Sequence, residues 1–280
     1  MLIVPLFTAT ASPAFGQGPT VELVDIHERR DTQRSGMITV TLKINNLKIE
    51  DEHLIKIENI QLINNTGGNE ELSGSTEYKD ETKGQVTIDF PGTLPRSISQ
   101  LDEIKGSIKC FLPTGPSKSK IRIPVKDLKF EENILEGFNK EVGLVPYDAK
   151  RLEDLEKKDR DAFRKEVERI YAIAEAIDPD QLFIIIDGRS TGNIPDEAFH
   201  HYVSPKGLSF LHYDPEKRLI DVRLFGADGR RNYASVTHTH RQYFKNFMRA
   251  IDPEGYIEII VETGPAVTVV PFEFKGVRMP

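Results

Sequence analysis

The sequence contains no tryptophan and a single cysteine, Cys110, among its 280 residues. One cysteine excludes an internal disulfide. No helix start would activate its thiol, so we expect Cys110 to be a small buried apolar residue. Aromatic residues make up 8% of the chain, which leaves few side chains on which sugars or bases would stack.

Long apolar runs and an excess of positive charge are also missing. No segment after residue 16 reaches the roughly 18 apolar residues of a membrane-spanning helix, so we expect no membrane span. The formal net charge is -7 and the pI is about 5.6. A nucleic-acid-binding protein usually presents a basic face, so we expect no nucleic-acid partner.

The first 16 residues resemble the end of a secretory signal peptide. Residues 2–11 are mostly apolar, and Ala14-Phe15-Gly16 places small residues at positions -3 and -1 before Gln17. The alternative is an ordinary apolar terminus. We expect removal of residues 1–16 and an extracytoplasmic location, in the periplasm or outside the cell.

Residues 17–130 have the pattern of successive short strands. Ile38, Val40, Leu42 and Ile44 alternate with polar residues, and polar turn-like segments such as 64–68 separate such runs. This pattern resembles the general immunoglobulin-like class, although the Cys-Trp-Cys hallmark of antibody domains is absent. The resemblance implies an antiparallel β-sandwich and assigns no functional residue.

Residues 106–128 and 255–277 resemble each other without a gap. The identical pairs are Gly106/Gly255, Ile108/Ile257, Thr114/Thr263, Gly115/Gly264, Pro116/Pro265 and Lys126/Lys275. In both copies two apolar runs flank Thr-Gly-Pro, which predicts a β-hairpin that closes each of two similar units. Upstream of the second copy, Arg241–Ile251 has a helix-like spacing of apolar residues.

The remaining sequence completes a two-domain prediction. Residues 131–147 are interpreted as a linker and Asp148–Ile177 as one charged helix, so that 131–180 joins the domains. Domain 2, residues 181–280, contains predicted strands at 182–186, 208–213, 219–225 and 233–240. We therefore predict a mainly β protein with two immunoglobulin-like antiparallel β-sandwich units, 17–130 and 181–280, joined by a long charged helix.

Histidine is unevenly distributed, with five of seven residues between positions 200 and 240. His238 and His240 would lie on one face of a strand, and neutral imidazoles bind zinc, copper or nickel. A third ligand would come from His212, His201 or Asp221. The histidine pair alternates in step with Ala234 and Val236, which predicts that the two imidazoles point inward. Alignment of the second unit with the first through the repeated segments instead predicts that they point outward as a surface pair. We favour this second prediction.

Motifs for nucleophilic, phosphate or dinucleotide chemistry are absent from the sequence, and no catalytic residue is assigned. We expect an exported non-enzymatic binding or scaffolding protein that engages a protein partner in the cell envelope or outside the cell, with the final strand, 267–274, as an exposed edge. The alternative is a metal-binding protein, with or without hydrolytic activity, that holds a divalent transition metal at the histidines.

Overall fold

The computed structural model describes residues 18–30, 36–49, 52–64, 71–80, 84–91, 98–175, 206–239 and 242–279. These residues form a mainly β protein with antiparallel sheets. The chain divides into two compact units: unit 1 comprises Met1–Leu112 and Val267–Pro280, and unit 2 comprises Pro113–Ala266. The predicted domain boundaries, near 130 and 180, do not coincide with this division.

The described strands and helices are numbered in chain order. In unit 1 the strands are β1 (Thr20–Arg30), β2 (Gly36–Asn45), β3 (Leu54–Ile63), β4 (Glu71–Gly74), β5 (Lys79–Asp80), β6 (Gln85–Pro91), β7 (Gln100–Phe111) and β16 (Val267–Arg278). Unit 2 contains β8 (Lys120–Pro124), β9 (Gly143–Tyr147), α1 (Ala149–Lys158), α2 (Arg160–Glu175), β10 (Gly207–Tyr213), β11 (Leu219–Phe225), β12 (Arg231–Asn232), β13 (Ala234–Thr239), β14 (Gln242–Phe247) and β15 (Tyr256–Val261).

Unit 1 contains two sheets that share one apolar core. Sheet A has the order β1-β2-β6, and sheet B has the order β16-β7-β3-β4, with β5 paired to β3. The alternating residues Ile38, Val40, Leu42 and Ile44 of β2 are all buried in this core, which confirms the strand predicted there. Cys110 is buried in the same core, and burial raises the pKa of its thiol to about 11.

Unit 2 has three layers. Sheet C has the order β12-β11-β15-β8, sheet D has the order β13-β14-β10-β9, and both sheets contribute to one core. Phe210 of β10 belongs to that core, whereas the next residue, Leu211, packs with Phe163 and Ile170 of α2. Because consecutive strand residues point to opposite faces, the helices cover the face of sheet D that is turned away from sheet C.

The two repeated segments do not fold into two hairpins, so this prediction was wrong. β7 pairs with β16, and β8 pairs with β15, so each segment supplies one strand to each pairing. Ile108 lies opposite Val270. The two repeated segments are 149 residues apart, so the same register in the second pairing would place Ile257 opposite Ile121. Ile257 instead lies opposite Ile123, a shift of two residues that preserves which side chains share a face.

The first glycine of each repeat allows a close backbone approach. A Cβ on Gly106 would come within 2.9 Å of Ile60 Cα and of the Phe272 ring. A Cβ on Gly255 would overlap the carbonyl oxygen of Phe225 on β11. Both copies of the repeat therefore require glycine at their first position, where the backbone lies close to a neighbouring strand.

The predicted long helix is in fact two short helices, and residues 143–147 of the predicted linker are a buried strand, β9. Asp159 ends α1 with an extended backbone, φ -153° and ψ 97°. Its carboxylate then accepts hydrogen bonds from the backbone N–H groups of Asp161 and Ala162 at 3.2 and 3.0 Å, and so caps α2. The helices belong to unit 2 and do not join two domains.

The helix-like spacing at Arg241–Ile251 was also misinterpreted, because residues 242–247 form β14. This strand lies between β13 and β10. Phe247 faces the core that the two sheets share, whereas Phe244, three residues earlier, lies opposite Ser209 and points to the other face. A strand with buried residues on both faces loses the period-two pattern and resembles a helix in sequence. The predicted strand at 182–186 lies outside the described residues.

Gly255→Ala is expected to lower the stability of the protein by about 2 to 3 kcal/mol, because the new methyl group overlaps a backbone carbonyl that cannot rotate away. The control is Gly264→Ala at another repeated glycine, where a Cβ meets nothing within 4 Å. Urea unfolding of both variants measures the difference. Equal unfolding midpoints would contradict the close-approach explanation.

Candidate functional site

Of the four candidate histidine ligands, the structure describes His212 on β10 and the backbone of His238 on β13. His201 and His240 lie outside the described residues. His238 lies opposite Tyr243 of β14, which lies opposite Phe210 of β10, and His212 is two residues beyond Phe210. In the described part of the chain, no three His, Cys, Asp or Glu side chains lie close enough to hold a metal ion.

Asp221, named from sequence as a possible third ligand, is committed to other contacts. Its Oδ1 accepts a hydrogen bond from Lys245 Nζ at 2.6 Å, and its Oδ2 lies 3.0 Å from Arg231 and 3.1 Å from Arg223. Both carboxylate oxygens are therefore bonded to cations. This arrangement explains why Asp221 is a poor candidate for a metal ligand.

The buried carboxylate of Glu258 extends this group of charges across sheet C. Glu258 lies opposite Arg122 on one side and Arg223 on the other. Its side chain is 5% exposed, and it accepts a hydrogen bond from Arg122 Nε at 2.8 Å. Together with Asp221, Lys245 and Arg231, these residues form what we call the sheet C ion network.

The electrostatics of the network hold Asp221 in its ionised form. Burial alone raises the pKa of Asp221, but attraction and hydrogen bonding from Lys245, followed by Arg223, outweigh it, so the pKa lies below its ordinary value. A carboxylate held ionised in this way cannot act as a general acid near neutral pH. The ion pair between Asp221 on sheet C and Lys245 on sheet D connects the two sheets.

Sequence reasoning overlooked Lys245 and Glu258. Glu258 is the lone charge in the buried run YIEIIV of β15. A charge on a strand that is buried on both faces requires a partner, so this pattern was the available signal. Lys245 was hidden by the incorrect assignment of its segment to a helix.

A different feature of unit 2 faces solvent. Tyr233, Val236 and Met248 are 60%, 46% and 73% exposed. Val236 lies on β13, the end strand of sheet D, and Met248 donates a backbone hydrogen bond to the carbonyl of Tyr233 at 2.8 Å. We call the strand β13 together with Tyr233 and Met248 the β13 edge.

The hydrogen bond between Met248 and Tyr233 determines which backbone groups on the β13 edge face outward. Tyr233 and Met248 form a hydrogen-bonded pair, and such pairs alternate with non-bonded pairs along an antiparallel ladder. In the observed register, Ser235 and Thr237 then bond to β14. The N–H and C=O groups of Ala234, Val236 and His238 therefore point away from the sheet.

Comparisons with known proteins add no assignment. No family model matches the sequence, and no similar protein is found among curated proteins or solved structures. In the described part of the chain, no helix has both the length and the apolar character needed to cross a membrane.

Asp221→Asn is expected to destabilise the protein by about 3 kcal/mol, because it leaves the ammonium of Lys245 buried without a full counter-charge. The matched control is Asp228→Asn, since Asp228 is an exposed carboxylate 3.6 Å from Arg230, and its loss should cost less than about 1 kcal/mol. Chemical unfolding of both variants measures the two costs.

The same pair of variants gives a pH test. Because its folded pKa is lowered, Asp221 stabilises the protein fully above its unfolded pKa of about 3.9, and this contribution is lost as the pH falls toward the folded pKa. Asp221→Asn should therefore flatten the loss of stability below about pH 4. A pH profile identical to that of Asp228→Asn would refute this assignment.

The metal hypothesis is tested by thermal unfolding with chelator and then with zinc, nickel or copper. A ligand at 100 times its dissociation constant would stabilise the folded protein by about 2.7 kcal/mol, a shift of several degrees. We expect no shift from a site that uses Asp221 as a ligand, because this carboxylate is already bonded to cations. A shift that disappears in the His238→Ala, His240→Ala double variant would establish a metal site instead.

Proposed function

We propose that this chain is an exported, non-enzymatic binding or scaffolding protein that engages a protein partner in the cell envelope or outside the cell. The observation that carries the proposal is where exposed apolar side chains lie. Val24, Val236 and Val269 are each about half exposed, and each lies on an edge strand: β1, β13 and β16 respectively. Edge strands with exposed apolar residues are surfaces to which a partner chain can add a strand.

The architecture supports a binding role as well. In our proposal both units are immunoglobulin-like sandwiches, since each has two antiparallel sheets that contribute to one core. Sandwiches of this kind commonly present edges and loops for recognition. The fold alone does not determine the function, so the proposal depends on the edges.

Export is part of the proposal and is supported by sequence. The apolar residues 2–11 and the small residues Ala14 and Gly16 fit a cleaved leader. The cell envelope or the extracellular space is then where the partner would be found.

Photo-crosslinking in the source cells tests the proposal. A benzoyl-phenylalanine placed at Val269 or at Met248, both exposed, should give a discrete crosslinked species with a partner protein. The same residue at Lys165, an exposed position on α2, is the control and should give none. Absence of any adduct at both edge positions would count against a protein-binding function.

A further inference from the structure

We draw no further inference here: the strongest candidate, the β13 edge of sheet D with its outward-facing backbone groups at Ala234, Val236 and His238, carries no proposal because nothing in the structure shows which segment covers it.

Discussion

The pairing of β7 with β16 is the constraint on which the rest of the structure depends. It places Phe111 opposite Val267 and Gln100 opposite Arg278, so sheet B is completed only by the last strand of the chain. Unit 2, residues 113–266, is thereby an insertion within unit 1. Contacts this distant in sequence form slowly because the intervening chain must first be ordered or looped out. During synthesis, unit 2 has all of its strands before unit 1 does.

The sequence predicted individual strands better than their partners. Ile38, Val40 and Leu42 alternate as a half-buried strand must, and that local rule held in β2. The repeated Thr-Gly-Pro segments were equally regular, but a strand pattern contains no information about which neighbour it pairs with. The short separation of β7 and β8 favoured a hairpin, whereas the actual pairing joins the two copies. Only tertiary packing distinguishes these alternatives.

The incorrect prediction of a helix at β14 affected the prediction of the site more than the prediction of the fold. Lys245 lies on that strand, and as a helix residue it would have been an ordinary surface lysine. On the strand, Lys245 faces sheet C, so its ammonium group lies between the two sheets. Asp221 stabilises it there. A half-buried carboxylate bonded to a buried cation is a structural pair rather than an open ligand. The candidate metal ligand and the missed lysine were thus two halves of one interaction.

The ion network and the β13 edge are connected through the register of sheet D. Val236 lies opposite Lys245, which lies opposite Leu208, so the exposed edge residue and the buried lysine share one row. Because Lys245 is anchored to Asp221 on sheet C, the strand that supports β13 is fixed on both sides. A fixed edge is already extended before a partner arrives, which reduces the ordering cost of strand addition. The buried charges would therefore contribute to recognition without contacting the partner, by holding the edge in the geometry that an added strand requires.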